Sequence, residues 1–168
     1  TDGAILINEL RGVTIGRSNT VSSISNIPFY NDNAGSIYTH DVSGTDDNAN
    51  NNTAYGINAL DAITTGDSNV AIGHQAATAL TTAYNSVFVG KDAGLGVIGG
   101  GQNTFIGFEA GKTVSTGYRN VAVGDAAMDA GATSEGDNTA VGHFALGGVL
   151  NGAEFNTVVG SYAGNTMT

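Results

Sequence analysis

The chain has 168 residues, of which 26 are Gly, one is Pro and none is Cys or Trp, and only 12% are charged. Glycine inside a helix costs about 1 kcal/mol relative to alanine, so this composition argues against a helical protein, and the lack of cysteine excludes disulfides and thiolate metal sites. The formal net charge of -10 would repel phosphate backbones and anionic membrane surfaces. We therefore expect neither nucleic acid binding nor membrane insertion.

Residues 1–51 differ from the rest of the chain and predict a small irregular N-terminal cap with a linker loop. Ala4–Ile7 and Val13–Gly16 have the residue types of short strands, and the second of them suggests a degenerate coil. The only proline, Pro28, follows at a position typical of a turn or an edge strand. Residues 41–52 are rich in Asp, Asn, Ser, Thr and Gly, which is typical of a loop, and their oxygen atoms could bind calcium.

From residue 52 to residue 168 a short motif recurs seven times, and its glycines are 17 or 18 residues apart. We count positions from this glycine, which is position 0. Position −4 is Asn in six of the seven copies, and position +3 is Ala in all of them. The motif glycines are Gly56, Gly73, Gly90, Gly107, Gly124, Gly142 and Gly160. A nearly constant period with strand-like residues predicts an all-β fold, a parallel β-solenoid of about seven coils.

Positions −3 to −1 of each copy predict a short strand whose two faces are both apolar. Positions −3 and −1 hold Thr, Val, Ile or Tyr and share one face, because side chains alternate along a strand. Position −2 would be polar if its face met water, yet it holds Ala, Phe or Val. A strand that is apolar on both faces is buried on both faces. We place positions −3 and −1 inside the coil and expect position −2 to meet a partner chain or another layer.

Position +7 is usually apolar and follows a small residue, as in Ile63, Leu80 and Val97, which predicts a second strand in each coil. Turns near Gly66, Gly100 and similar residues would close the coil. The Asn at position −4 begins each first strand, so successive Asn side chains would stack. We expect their amides to hydrogen bond from coil to coil in a ladder.

The strings Asn69-Val70-Ala71-Ile72-Gly73 and Asn138-Thr139-Ala140-Val141-Gly142 carry a resemblance to a known family. They resemble the N-T-A-I-G-x-x-A-L repeats of bacteriophage and virion tail fibres, and at a longer period they are similar to the head repeats of trimeric autotransporter adhesins. The resemblance covers residues 52–168. It implies a homotrimer of parallel β-rolls on a virion or on an extracellular or cell surface, with a cell-surface glycan or protein as a receptor.

We expect the trimer to be held by position −2, because an uncovered apolar stripe is rare on soluble proteins. Phe88 and Phe105 would be its largest anchors. The predicted subunit interface consists of Ala54, Ala71, Phe88, Phe105, Ala122, Ala140 and Val158.

No combination of residues in the sequence predicts catalysis, so we expect no enzyme, no cofactor and no resident metal. His74 and His143 lie four coils apart, too far to share a metal, and are expected to face solvent. Asp92 and Glu109 occupy the same position in adjacent coils, which would bring two carboxylates together as in a glycosidase, but the mixed residues of that position favour a surface ladder. Lys112 follows Gly111 as in a phosphate-binding loop, but the earlier glycine of that motif is missing.

Three functions fit this reading. The first is a structural fibre module of a virion tail fibre or surface adhesin that mediates or supports attachment to a host cell. The second is an ice-binding or surface-binding solenoid, which would need the Thr residues of position −3 on an outer face, whereas we expect that face to be inside. The third is a subunit of an extracellular filament that stacks end to end, with Ala4–Ile7 pairing with the open coil of a neighbour.

Overall fold

The computed structural model describes residues 30–31, 36–38, 48–130, 134, 136–148 and 154–165, and none of these residues is helical. The described chain forms nine short strands that belong to a single sheet in sequence order. The strands are β1 (Tyr30–Asn31), β2 (Ile37–Tyr38), β3 (Thr53–Tyr55), β4 (Val70–Ile72), β5 (Val87–Val89), β6 (Thr104–Ile106), β7 (Val121–Val123), β8 (Thr139–Val141) and β9 (Thr157–Val159).

Strands β2 to β9 are parallel, and each pairs with the strand one coil further along the chain. The register never slips, so equivalent positions of neighbouring motifs face each other, as Phe88 faces Phe105. This arrangement confirms the predicted all-β parallel solenoid, with about six full turns between the seven strands β3 to β9. The repeat thus determines both strand order and register, because a slip by one residue would turn every side chain to the wrong face.

The parallel stack begins upstream of residue 52. Strand β2 pairs with β3, so Ile37 faces Thr53 and Tyr38 faces Ala54, and β1 adds an antiparallel strand at this end of the sheet. Ser36 takes the place of the ladder Asn, since its Oγ accepts the N–H of Asn52 at 3.0 Å. The strands predicted at residues 4–7 and 13–16 lie outside the described residues, as do Pro28 and residues 41–47.

The predicted second strand is wrong for the first four coils, where the structure describes position +7. Residues +1 to +6 form consecutive turns instead, and the residues at positions +2 and +4 have positive φ, for example 58° at Asn58 and 56° at Leu60. Such residues cannot belong to an extended strand. The coils still join here through single hydrogen bonds, such as that from Leu60 N–H to Ala76 O at 3.1 Å, while Ile63 N–H donates to Leu60 O within its own coil.

The interior of the solenoid is narrow, and side chains from four positions of the motif fill it. The buried side chains come from position −2, from Ala at position +3, and from positions +4 and +7, such as Leu60 and Ile63. Ile63, Leu80, Val97 and Val114 of position +7 are therefore buried as their apolar character suggests, although they directly follow the turns and belong to no strand. In the middle of the stack Phe88 and Phe105 pack edge to face, with ring centroids 5.7 Å apart.

A ladder of buried Asn side chains runs along one corner of the stack, as the sequence predicts. Asn52 Oδ1 accepts the backbone N–H of Asn69 at 2.8 Å and the Asn69 side-chain amide at 3.1 Å. Asn52 Nδ2 also donates to Gly66 O in its own coil at 2.7 Å. Ser86 interrupts the amide contacts but keeps the main-chain link, because its Oγ accepts the N–H of Asn103 at 3.1 Å. Asn52, Asn69 and Asn103 each join two coils and also close their own coil through Nδ2.

Removing one ladder amide should destabilise the stack. We expect Asn120→Ala to lower the free energy of unfolding by about 2 to 4 kcal/mol, because the buried N–H of Asn138, which donates to Asn120 Oδ1 at 3.1 Å, loses its acceptor. Asn120→Ser is the matched control, since Ser86 shows that a hydroxyl can accept this bond, and it should lose less than half as much. Urea denaturation at a fixed protein concentration measures both variants. Equal losses for alanine and serine would contradict the ladder as a source of stability.

Candidate interaction face

The residues predicted to form a subunit interface lie inside the single chain, so that prediction is wrong. Phe88 and Phe105 are fully buried within their own coils, and Val158 is partly buried against the same core. Side chains that the chain itself encloses cannot anchor a partner chain. Ala54, Ala71, Ala122 and Ala140 are likewise buried in the core.

Positions −3 and −1, predicted to be inside, point outward instead. Along the strands the middle residue is buried and its two neighbours are exposed or half-buried. The exposed fractions are 54% for Tyr55, 41% for Ile72 and 38% for Ile106. We call this surface the outer sheet face. It comprises Thr53, Tyr55, Val70, Ile72, Val87, Val89, Thr104, Ile106, Val121, Val123, Thr139, Val141, Thr157 and Val159.

The exchange of the predicted inner and outer faces of the strands has a physical cause. Beside the buried residue of position +7, the interior of each coil has room for little more than one further bulky side chain. Four of the seven position −2 residues are accordingly Ala, and the larger Ile and Val side chains are left outside. In coils where position −2 is Phe, position +4 is Gly, as in Phe88 with Gly94 and Phe105 with Gly111. A large residue at position −2 is therefore matched by a small one at position +4. This pattern is visible in the sequence and would have predicted that position −2 lies inside the coil.

The outer sheet face has the residue composition typical of a surface that another chain or another layer covers. None of its fourteen side chains is charged, and ten are Val, Ile or Tyr. Parallel sheets are normally covered on both faces, whereas here only the inner face is covered by the described chain. A largely apolar strip over seven strands is a candidate interaction site.

The Thr residues of position −3 also lie on the outer sheet face rather than inside. Thr53 and Thr157 are exposed, and Thr104 and Thr139 are half-buried between neighbouring strands. The expectation that this position is interior, which argued against an ice-binding surface, is therefore wrong. Thr is nevertheless interspersed with Val70, Val87 and Val121 and so forms no unbroken row.

A ledge of polar and aromatic residues follows the outer sheet face at positions +1 and +2. His74 and His143 are about half exposed, as predicted, and each lies near a carboxylate: His74 Nδ1 is 4.0 Å from Asp92 Oδ1, and His143 Nε2 is 3.4 Å from Asp125 Oδ1. Asp92 departs from the predicted surface ladder, because only 7% of it is exposed. Its other carboxylate oxygen is paired with Lys91.

Glu109 of the ledge pairs with Lys112, which is at position +5 of the same motif. Lys112 donates to Glu109 at 2.9 Å, and this hydrogen bond is the largest cause of the raised pKa of Lys112. Burial raises the pKa of the Asp129 carboxyl, whose Oδ1 is enclosed. Gly111 faces the ring of Phe105, and Thr113 Oγ1 donates to Asp129 O at 2.7 Å. The Gly111-Lys112-Thr113 segment therefore has structural contacts that account for its residues without a bound phosphate.

No chemical site emerges from the part of the chain that the structure describes. Within those ranges no three His, Asp or Glu side chains converge on a point where they could hold a metal ion. The described residues also include no helix suited to crossing a membrane. Asn51-Asn52-Thr53 matches a glycosylation pattern whose acceptor is Asn51, which is exposed, whereas Asn52 is 1% exposed and belongs to the ladder.

The outer sheet face is thus the candidate interaction face of the described residues. Comparison of the chain with protein families, with curated proteins and with solved structures finds no match.

Proposed function

We propose that the chain is a structural module of a homotrimeric fibre, on a virion or a cell surface, that supports attachment to a host cell. The observation that carries the proposal is the outer sheet face, an uncharged apolar strip on a parallel sheet whose other side is already filled. The resemblance of the motif to tail-fibre and adhesin repeats supports the same assembly. In this proposal the trimer contact is formed by positions −3 and −1 rather than by position −2.

A second and third copy of this chain suit the strip better than an unrelated partner does. The strip repeats the same residue types at every coil, so equivalent residues of three parallel chains could meet around a threefold axis. Covering the exposed part of one Ile contributes about 1 kcal/mol per chain, and many positions contribute together. The net charge of -10 per chain opposes association. It acts weakly at this contact, because the outer sheet face carries no charge and salt screens charges beyond about 8 Å.

The test is the mass in solution. Wild type should show three times the chain mass of 16.8 kDa by light scattering at micromolar concentration. Ile72→Asp combined with Ile106→Asp should give a folded monomer, because each carboxylate would have to be buried without a partner. Ile98→Asp is the matched control, since Ile98 is 49% exposed but lies away from the strands. It should leave the trimer intact.

Circular dichroism of the same samples separates dissociation from unfolding. A wild type that is monomeric, or a double variant that keeps the wild-type mass, would overturn the trimer. The Phe88→Asp variant would not test it, because Phe88 is in the core and its loss would unfold a monomer as well.

Ice or surface binding is the second candidate, and the outward position of four Thr residues on the outer sheet face favours it. Such a protein would act as a monomer with this face open to water. Thermal hysteresis in the wild type, lost on Thr104→Asp, together with monomeric mass would establish this function in place of the fibre. The irregular interspersion of Thr with Val makes it the weaker candidate.

A further inference from the structure

The last coil that the structure describes leaves one edge of the sheet open. Strand β9 is the final strand in the sheet, and among the described residues it pairs only with β8. In each earlier coil of the motif the N–H at position −3 donates to the carbonyl at position −4 of the next coil, as Thr139 N–H donates to Asn156 O at 2.7 Å. The N–H of Thr157 has no such acceptor among the described residues. An edge of this kind is a template for another strand.

The Asn ladder is open at the same end. Each earlier ladder side chain accepts the backbone N–H of the next ladder residue, as Asn138 Oδ1 accepts that of Asn156 at 3.0 Å. Asn156 Oδ1 accepts no hydrogen bond from the described residues. A Cβ atom added to Gly142 would lie 2.6 Å from Gly160 O, whereas one added to Gly160 would meet only Ala163 Cβ in the described chain. The acceptor and the space for a further parallel coil are therefore both present.

The last described coil also exposes apolar side chains. Phe155 is 76% exposed and Val159 is 70% exposed, whereas Val141, which is equivalent to Val159 one coil earlier, is half-buried. Phe155 stands at position −5. This position is polar in the six earlier copies, where it holds Asn51, Ser68, Asn85, Gln102, Arg119 and Asp137. A strand that covered this end would bury apolar surface as well as form hydrogen bonds.

The sequence contains one more strand of the required kind, upstream of the seven motif copies. Val13–Gly16 has β-branched residues where the motif has positions −3 and −1, and a glycine at position 0. Ala4–Ile7 has no such glycine and fits this edge less well. Arg11 and Arg17, which are two of the five basic residues of the chain, flank Val13–Gly16. The segment is therefore locally positive in a chain whose net charge is -10.

Basic residues of this chain pair with residues at the same position of an adjacent coil. Lys91 Nζ lies 5.0 Å from the centre of the Phe108 ring, and both residues are at position +1. Arg119 donates to Asp137 at 2.6 and 2.7 Å, and both are at position −5. In the register of the motif Arg11 would also be at position −5. It would then lie beside Phe155 of the last coil, a pairing of the same kind as that of Lys91 with Phe108.

We propose that Val13–Gly16 of a second copy docks on β9 as an additional parallel strand and joins two modules end to end. Gly12 N–H would donate to Asn156 Oδ1, and Thr157 N–H would donate to Gly12 O. Gly16 N–H would donate to Val159 O. These bonds continue the pattern of the earlier coils.

This contact goes beyond the proposed trimer, because it uses the end of the stack and leaves the outer sheet face free. It joins the start of one chain to the end of another, so its repetition gives an open filament rather than a closed ring. A single short strand forms a small interface, and small interfaces are weak. We therefore expect the contact to form well above the micromolar concentrations at which the trimer is measured.

Disulfide trapping tests this contact in a chain that has no native cysteine. In the proposed register Thr14 and Val158 both occupy position −2, on the inner side of the sheet and away from the trimer contact. Parallel neighbours place their Cα atoms about 4.8 Å apart, which a disulfide can bridge. Thr14→Cys and Val158→Cys, mixed at about 100 µM and oxidised, should give at least about ten times more linked chain pairs than either variant gives alone.

Val13→Cys is the matched control, because its side chain would point to the opposite face of the strand. Mixed with Val158→Cys, it should give few linked pairs. Adding Phe155→Asn to Val158→Cys should lower the yield at least about threefold. Adding Ile57→Asn should not lower it, since Ile57 is 70% exposed but belongs to the first coil of the motif. Thermal melts of each variant verify that the fold is retained.

The proposal is overturned if the mixed variants link no better than either one alone, or if Val13→Cys links as well as Thr14→Cys. Equal yields with Phe155→Asn and Ile57→Asn would also overturn it. A variant with both Thr14→Cys and Val158→Cys that closes within one chain, while the mixed variants do not link, would show that the segment docks on its own stack. The variant with Ile72→Asp and Ile106→Asp should still form the end contact, so the trimer and this contact can fail separately.

Discussion

Gly107→Ala should lower the free energy of unfolding by more than about 4 kcal/mol and leave much of the chain unfolded at room temperature. Gly107 has a φ of 139°, a conformation that L side chains rarely adopt. A Cβ atom at this residue would also overlap the carbonyl group of Gly124 in the next coil. The neighbouring backbone cannot move away without breaking the hydrogen bond from Gly124 N–H to Ile106 O at 2.8 Å. Backbone strain and overlap therefore act together.

Gly160→Ala separates these two causes. Gly160 has the same role in its motif and a similar φ of 129°, but among the described residues an added Cβ would contact only Ala163 Cβ, at 3.6 Å. We expect a loss of about 1 to 3 kcal/mol from the backbone conformation alone. Thermal and urea unfolding, followed by circular dichroism, measures both variants. Similar losses at Gly107 and Gly160 would show that contact between coils does not account for the conserved spacing of the motif glycines along this chain.

The second large effect concerns the pairing of Phe88 with Gly94. Gly94→Leu alone should destabilise the protein by more than about 3 kcal/mol, because its Cβ would overlap the Phe88 ring. Phe88→Ala alone should cost about 3 to 5 kcal/mol through the cavity it leaves. The two changes together recreate the combination found in Ala54 with Leu60 and in Ala140 with Leu146. We expect the double variant to recover at least about 2 kcal/mol relative to the sum of the single variants.

The left-handed backbone at Gly94 does not prevent this rescue. Gly94 has a φ of 61°, and Leu60 and Leu146 occupy the same position with φ of 56° and 54°. Gly99→Ala is the control for glycine replacement in the same coil, since its Cβ meets only Thr82 Oγ1, at 3.3 Å, and it should change stability by less than about 1 kcal/mol. Additive effects of Phe88→Ala and Gly94→Leu would contradict the shared space.

Much of the fold could be predicted because a repeat of nearly constant length implies coils of nearly constant geometry. The invariant spacing of Gly56, Gly73 and their successors fixes one coil per motif, and the Asn at position −4 marks where each strand begins. Parallel stacking in register and the Asn ladder follow from these two features, since identical residues in adjacent coils must face each other. The second strand could not be predicted from the apolar residues at position +7, because burial in this thin interior does not require an extended backbone. Positive φ at Asn58 and Leu60 carries no clear signal in those residue types.

The sequence by itself determined that the chain is a β-solenoid and that its strands are apolar on both sides. Only the tertiary structure decided which side is enclosed. The alternation of side chains shows which residues share a face, but it does not show which face is enclosed. Here both faces are apolar, so hydrophobicity favours the burial of both. Side-chain volume decides which face is enclosed. Positions −2 and +4 of one coil share a space that takes either the Phe88 ring or a side chain such as Leu60, so the small residues of position −2 belong inside. Ile72 and Ile106 are left on the outer sheet face, where a partner can cover them.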